Sequence, residues 1–433
     1  DGKYQFTGTA RYDGSNQLGN SRVARWLPTW NLSGSWNIDQ EDFFKNQSFF
    51  NTLTNRGTYG LTASMGPATN ASLVLRSGGV NRPFLTEQEP VINIEYLENK
   101  DLTWEKQYEA NVGIDASFSN RKYQVVIDLY NRDAFDLIGP MRISGIGGES
   151  IKFANYANMK SRGVEILFKA TIFNRKDWGW KTQLTNAFYN NRITSIRNEP
   201  TIWNLVNSVG AAKEGYPHRG LFSINFNKLH DFNGTPIFVN EKNEISNNVF
   251  LQSIHTDYLK YEGSVDPTFN GGLYNQFNYK GFNLSFLVTY SAGNKFRLNP
   301  IYRNSYSELD AMSYDFLDRF LIPYENLSPS IATVRTNSKL PGEQVYNAYN
   351  YSTQRIADGG FIRMKQITLG YQVPKKLYEK AGLNNININL VGNNLFLLYS
   401  DPKLNGQDPE FYGTGGVALP IPRQFTLSLK AGF

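Results

Sequence analysis

The feature that most constrains this chain is an alternation of apolar and polar residues that recurs in segments of about ten residues. In the cleanest segment, 107–118, even positions are apolar and odd positions are mainly amide, acidic or small polar residues. Successive side chains of a β-strand point to opposite faces, so the pattern predicts strands with one apolar and one polar face. Similar runs occupy 4–12, 30–38, 59–65, 123–132, 164–172, 178–190, 269–279, 282–291, 361–371, 386–396 and 425–433.

The composition of the two faces favours a membrane setting. The polar face is mainly Asn, Gln, Ser, Thr and Gly rather than Lys and Glu, which suits a hydrated interior. Aromatic residues stand near the ends of apolar faces, as with Tyr108 and Phe118, where interfacial girdles form in membrane proteins. No uninterrupted run of 18 apolar residues predicts a membrane helix. We therefore expect an all-β fold, an antiparallel transmembrane β-barrel; the alternative is a large soluble β-sandwich or propeller.

Connection lengths support the barrel. From the fourth predicted strand onward, short links alternate with long ones, an asymmetry typical of periplasmic turns and extracellular loops. The segment 221–226 inside one long link also alternates, which allows about 12 to 14 strands. The first strand begins near residue 3, and an open sheet edge cannot face lipid, so we expect further strands and an export signal upstream. The predicted extracellular loops are 66–106, 133–163, 191–268, 292–360 and 397–424.

Several classes of chemistry lack the residues they need. The chain has no cysteine and only three histidines, in one predicted loop without metal-binding spacing, so we expect no metal, no cofactor and no enzymatic activity. Lys and Arg are dispersed despite the net charge of +6, so we expect no nucleic-acid partner. Two groups of carboxylates leave a calcium or glycosidase-type site open beside the simpler interpretation of a solvated surface: Glu308, Asp310, Asp315 and Asp318, and Asp401, Asp408 and Glu410.

Aromatic residues of the long loops are the candidate ligand-binding groups, because rings stack on sugars and anchor peptides. Loop packing is the alternative role for each of them. The candidates are Trp203, Tyr258, Tyr302, Tyr306 and Tyr314.

The last predicted strand ends in an aromatic residue. Phe425 and Phe433 share one face of it, and we interpret them as a membrane-insertion signal, with interfacial anchoring as a compatible alternative.

Short motifs along the chain resemble the C-terminal barrel portion of SusC/RagA-type, TonB-dependent outer-membrane transporters. The resemblance extends from residue 4 to the terminal Phe433, and the order and spacing of the motifs match those of the family. The motifs are RYDGS (11–15), RWLP (25–28), ENKDLTWEK (98–106), NMKSRGVE (158–165), EGYP (214–217), YKGF (279–282), DGGFIRMKQITLGY (358–371) and NNLF (393–396).

The resemblance implies a plugged barrel in the bacterial outer membrane, in a size class of about 22 strands. It implies import of oligosaccharides or peptides with a SusD-like lipoprotein, driven through the TonB complex, with outer-membrane lipid around the wall. The N-terminal plug and the TonB-contacting box are absent from this chain, so contact with TonB would come through that missing region. The alternative within the resemblance is a structural or assembly component of an outer-membrane complex that no longer transports.

Overall fold

The computed structural model describes residues 2–66, 71–81, 88–145, 151–302, 313–322, 331–333, 343–412 and 421–432. The chain divides into two compact units. Unit 1 comprises Asp1–Glu165, Asn190–Glu199 and Glu214–Tyr216, and unit 2 comprises Ile166–Tyr189, Pro200–Lys213 and Pro217–Phe433. Within the described ranges, every helix is too short or too polar to span a bilayer.

Unit 1 is built on an antiparallel sheet in which β1, β2, β3, β6 and β7 pair in that order. A separate hairpin pairs β4 with β5, and the short helix α1 precedes β2. These elements are β1 (Tyr4–Gly14), α1 (Arg22–Arg25), β2 (Trp26–Asn37), β3 (Phe50–Ser64), β4 (Val74–Asn81), β5 (Gln88–Tyr96), β6 (Glu105–Phe118) and β7 (Tyr123–Arg142).

Two long strands, β8 (Ile151–Asn174) and β9 (Trp178–Ile196), divide their residues between the units. In unit 2, β9 is followed across the antiparallel sheet by β15, β16, β19, β20 and β21. Small sheets of two or three strands occupy the connections. The remaining strands are β10 (Gly220–Ser223), β11 (Phe226–Leu229), β12 (Pro236–Val239), β13 (Ile245–Ser246), β14 (Lys260–Ser264), β15 (Phe269–Tyr279), β16 (Phe282–Ala292), β17 (Lys295–Arg297), β18 (Ile356–Asp358), β19 (Phe361–Gln372), β20 (Asn385–Ser400) and β21 (Gln424–Gly432).

Short helices complete unit 2. The α-helices are α2 (Ile202–Val206), α3 (Glu343–Asn350) and α4 (Pro409–Tyr412). The 3-10 helices of the chain are Ile38–Gln40, Tyr314–Asp318, Thr353–Arg355, Lys375–Leu377, Glu379–Ala381 and Pro402–Leu404.

The apolar face of the unit 1 sheet is bounded by two rows of aromatic rings. One row runs across four strands through Trp30, Tyr59, Tyr108 and Phe135, with neighbouring ring centroids 5.5 to 6.0 Å apart. At the other end of the same strands, Phe118 stacks on Tyr123 at 5.3 Å. Tyr108 and Phe118 are ten positions apart on β6, about 34 Å of extended strand.

Unit 2 repeats this arrangement independently. Phe269 contacts Phe188 at one end of β15, and Tyr279 contacts Trp178 at the other, ten positions away. At a tilt of about 40°, ten positions of strand rise about 26 Å, which matches the apolar band of an outer-membrane barrel, about 25 Å.

The apolar face between the aromatic rows is uncovered in both units. In unit 1, Val112 and Leu129 pair across β6 and β7 and are 55% and 50% exposed. In unit 2, Leu284 and Leu369 pair across β16 and β19 and are 41% and 46% exposed. Large aliphatic side chains on a regular sheet face are left open in this way when lipid is their solvent.

The predicted strands all occur, and several extend further than the alternation indicates. β7 continues to Arg142 and β8 begins at Ile151, so much of the predicted loop 133–163 is strand. The alternating piece at 221–226 forms parts of β10 and β11, which belong to the small sheets. Over the described residues the long strands of the main sheet therefore number twelve.

Gly163, in the NMKSRGVE motif, leaves space for a ring of the neighbouring strand. A Cβ atom at this position would lie 2.1 Å from Cζ and 2.2 Å from Oη of Tyr130. We expect Gly163→Ala to lower the free energy of unfolding by about 1 to 2 kcal/mol, because the ring must leave its position. Adding Tyr130→Ser should recover part of this loss in a double-mutant cycle measured by urea unfolding in lipid vesicles. Additive losses would contradict the contact.

Candidate functional site

The loops of unit 1 have a small hydrophobic core of their own. Leu18, Leu102 and Trp104 are buried there together with Ala71 and Ile138. The Trp104 indole nitrogen donates to the carbonyl of Arg25 at 3.0 Å, which joins the ENKDLTWEK motif to the RWLP motif. These two motifs therefore hold connecting segments in place.

In unit 2 a buried arginine joins connecting segments that are distant in sequence. Arg297 of β17 is 6% exposed and donates to the carbonyls of Val206, Phe222 and Ser352 at 2.7, 2.6 and 3.2 Å. It also donates to the Ser223 hydroxyl at 2.9 Å. Burial lowers the pKa of Arg297 to about 9, so the guanidinium stays charged at neutral pH. Its hydrogen bonds offset the cost of burying that charge.

A second arginine connects the wall of unit 2 to the segment after β20. Arg363 of β19 is 5% exposed and hydrogen bonds to Asp408, and its Nε lies 3.1 Å from Oε2 of Glu410. Lys365 lies 3.5 Å from the same Glu410 oxygen. Asp408 and Glu410 therefore form ion pairs with wall residues. The sequence had left both carboxylates open as part of a calcium or glycosidase-type site.

The DGG portion of the DGGFIRMKQITLGY motif makes a close junction with the end of β16. The Gly359 amide donates to the Asn294 carbonyl at 2.9 Å, and a Cβ at Gly359 would lie 2.2 Å from Asn294 Nδ2. Asp358 pairs with Lys295 at 2.9 Å. Only glycine permits this approach, which places the Asn294 side chain at the base of the connecting segments.

A cavity of about 820 Å³ opens at this junction within unit 2. It is lined by residues of the polar sheet face and by side chains from the connecting segments. The wall contributes Asn270, Thr289, Ser291 and Lys365, and the connections contribute Arg219, Asn294 and Glu410.

Among the residues that the structure describes, two hydrogen-bonding atoms of this cavity have no partner. Asn294 is 4% exposed, and its Oδ1 accepts no hydrogen bond; the hydroxyl of Thr289 is also buried without a partner. In contrast, Arg219 and Lys365 are both near carboxylates, Asp266 at 2.6 Å and Glu410 at 3.5 Å. The groups left to bind a ligand are therefore mainly neutral, and a buried atom without a partner is costly unless a ligand or water supplies one.

The structure assigns different surroundings to the aromatic residues predicted from sequence. Tyr302 is buried, donates to the Ala332 carbonyl and packs at 4.8 Å from the ring of Tyr346. Trp203 in α2 is 39% exposed and contacts Tyr351 edge-on at 5.4 Å. The ring of Tyr258 is partly buried, and burial raises the pKa of its hydroxyl.

Tyr314 is 74% exposed and lines a second cavity in unit 2, of about 280 Å³, beside Asp315 and Asp318. Tyr306 lies outside the described residues. The four described rings thus have different surroundings, and ligand binding by the predicted rings stays a prediction. The sequence did not identify Asn294 and Thr289 as site residues. Arg363, in contrast, lies within a motif that the sequence analysis recognised.

The other candidate carboxylates also make structural contacts. Asp315 accepts from Arg355 at 2.8 Å, and Asp401 accepts from the amide of Asp358 at 2.7 Å. Glu308 and Asp310 lie outside the described residues. Across the part of the chain that the structure describes, no group of three acidic, histidine or cysteine residues could hold a metal.

Phe425, one of the two residues predicted as an insertion signal, lies on the apolar face of β21 opposite Gly392 and is 70% exposed. Phe433 lies outside the described residues, and the insertion signal stays a prediction.

Comparison with known proteins extends these observations. No family model matches the chain. Curated relatives include the TonB-dependent receptor P39 of Formosa agariphila, 26% identical over 96% of this chain and 43% of the relative. They also include the TonB-dependent receptor SusC of Bacteroides thetaiotaomicron, 25% identical over 99% of this chain and 42% of the relative. Among solved structures, the RagAB peptide importer in its closed-closed state superposes with a TM-score of 0.80 at 20% identity, covering 100% of this chain and 46% of the importer chain.

The exposed apolar face, the aromatic rows and this superposition define the fold as that of TonB-dependent receptor barrels. Over nearly its whole length the chain is similar to a portion of SusC/RagA-type TonB-dependent receptors of the outer membrane. It spans less than half the length of the curated relatives it matches. The predicted resemblance to this family, the all-β fold and the outer-membrane location are thereby confirmed.

Proposed function

We propose that this chain forms part of the barrel wall of a TonB-dependent importer. The importer takes up oligosaccharides or peptides and works with a SusD-like lipoprotein. The homologous RagAB is a peptide importer with two named components, which supports an importer with a partner subunit. Energy from the TonB complex would reach the wall through other parts of the receptor.

The observation that carries the proposal is the cavity of about 820 Å³ on the polar face of unit 2. Its unpartnered groups, Asn294 Oδ1 and the Thr289 hydroxyl, are suited to ligand donors such as sugar hydroxyls or peptide N–H groups. The volume falls in the range of ordinary ligand pockets, about 300 to 1,000 Å³. Because the nearby cations lie close to carboxylates, we expect recognition by neutral hydrogen bonds and little dependence on ligand net charge.

The test uses the full-length receptor in its native membrane. We expect Asn294→Ala combined with Thr289→Val to reduce uptake of a transported ligand about tenfold, since two hydrogen bonds contribute about 1 kcal/mol or less each. Labelled oligopeptides and labelled oligosaccharides are supplied as two separate, size-fractionated pools. Each pool is given to cells with TonB and to cells lacking TonB, and the pool that is taken up only with TonB identifies the ligand class.

The matched control is Thr426→Val, on the polar face of β21 and outside the residues that line this cavity. Normal uptake by the control with reduced uptake by the double variant supports the assignment. Unchanged uptake by the double variant refutes the role of the cavity. Absence of TonB-dependent uptake of either pool refutes the importer and favours a structural component.

A further inference from the structure

A group of cations in unit 1 lies on the outward face of the sheet instead of the polar face. The register of β6 and β7 is unbroken from the Lys106–Phe135 pair to the Phe118–Tyr123 pair. Asn131 and Asp133 are therefore on the same face as Leu129, the exposed apolar face. Arg162 donates to Asn131 Oδ1 at 3.3 Å, and Lys160 lies 3.6 Å from Asp133, so both cations share that face.

The height of these cations is fixed by the same register. Asp133 is paired with Tyr108, a member of the aromatic row at this end of the strands. Asn131 is two residues beyond Leu129, about 7 Å further along the strand. Arg162 and Lys160 therefore lie at the level of the interfacial aromatic rings, immediately beyond the hydrocarbon-facing residues, which is the level of lipid headgroups.

A cavity of about 680 Å³ in unit 1 brings a third cation to this place. Arg192, Asn190 and Thr194 line it together with Lys160, Arg162 and Glu214. We call Lys160, Arg162 and Arg192 the outward basic patch. The EGYP and NMKSRGVE motifs, distant in sequence, each contribute two lining residues.

Charge in this cavity is only partly balanced. Asp133 is 3.6 Å from Lys160, and Glu214 is the one acidic residue among the described residues that line the cavity. Within the described part of the chain, neither Arg162 nor Arg192 forms a salt bridge, and both are exposed. Two exposed guanidinium groups without a salt bridge are suited to binding a phosphate, because each can donate two hydrogen bonds to its oxygens.

We propose that the outward basic patch binds the phosphate groups of an anionic lipid of the outer membrane, with lipid A as the chemical type. The proposal rests on the outer-membrane location and not on the identity of the transported ligand. A free soluble anion would have the same charge chemistry, but a soluble ligand bound inside the barrel would meet the polar face, whereas these cations share the face of Leu129 and Val112.

The test is native mass spectrometry of the full-length receptor in mild detergent, titrated with lipid A. Arg162→Gln combined with Arg192→Gln should weaken lipid A binding roughly 30-fold, because each surface cation contributes about 1 kcal/mol to binding an anionic lipid. The matched control is Arg121→Gln combined with Lys122→Gln, which removes two exposed cations from the tight turn between β6 and β7. The control should bind within about twofold of the unaltered receptor.

Three results would overturn the proposal. The control pair could lose as much affinity as the patch pair, which would show that only net charge matters. Dephosphorylated lipid A could bind as tightly as lipid A, which would exclude phosphate recognition. Inorganic phosphate at the same concentration could displace lipid A completely, which would indicate a site for a free anion. Folding of each variant is checked by its heat-dependent gel mobility, and uptake through the polar-face cavity should be unchanged in both pairs.

Discussion

Replacing Arg297 by methionine is expected to open the connecting segments of unit 2 while leaving the barrel wall folded. The variant removes the donors that satisfy the carbonyls of Val206, Phe222 and Ser352. A buried carbonyl without a partner costs about 1 to 3 kcal/mol, so we expect the segments to lose about 3 to 5 kcal/mol of stability against local opening. Arg297→Lys keeps the charge without the planar fork and should give an intermediate loss.

Hydrogen exchange of the full-length receptor measures this effect region by region. Amides of 202–229 and 343–358 should exchange faster in Arg297→Met, and amides of the paired strands at 269–292 should keep their rates. The control is Lys228→Met, which removes an exposed ion pair with Asp231 and should change stability by less than about 1 kcal/mol. Equal exchange in Arg297→Met and the unaltered receptor would show that Arg297 does not hold these segments.

Replacing Val112 by arginine is expected to destabilise the barrel by about 2 to 4 kcal/mol, the cost of a cation on the lipid face near the bilayer midplane. Val112 is 55% exposed and lies close to midway between the aromatic residues Tyr108 and Phe118. Its neighbour Asn111 points to the polar face. Asn111→Arg therefore introduces the same charge one residue away and should cost much less.

The two variants are compared by urea unfolding in lipid vesicles under identical conditions. The folded fraction is monitored by its heat-dependent gel mobility. A lower unfolding midpoint for Val112→Arg alone is the expected result. If both variants shift equally, the two faces have the same solvent, and the assignment of the apolar face to lipid is wrong.

The sequence predicted the strands of the wall correctly where one face of the strand contacts only lipid and the other only water. Between Tyr108 and Phe118 the alternation is visible because one face meets hydrocarbon and the other meets water. Beyond the aromatic row, both faces meet polar surroundings, so Asn131, Asp133, Lys160 and Arg162 interrupt the alternation. This is why the extensions of β7 and β8 were predicted as a loop.

The candidate site was less predictable because its residues meet over long sequence separations. Arg363 and Asp408 are 45 positions apart, and Arg297 contacts segments 55 to 91 positions away. Sequence alone also cannot distinguish an aromatic residue that packs a loop from one that faces a ligand. Tyr302, predicted as a ligand contact, is buried under neighbouring rings, whereas Tyr314 is open to solvent.

The ten-position interval between aromatic residues, present in both units, fixes the bilayer thickness that this wall tolerates. A hydrophobic span of about 26 Å is shorter than the average hydrocarbon core of about 30 Å. Each ångström of mismatch costs a fraction of a kcal/mol, so the wall should thin a thicker membrane around it and be retained preferentially in a thinner one. The spacing of its aromatic rings thus fits this wall to a thin bilayer better than to a thick one.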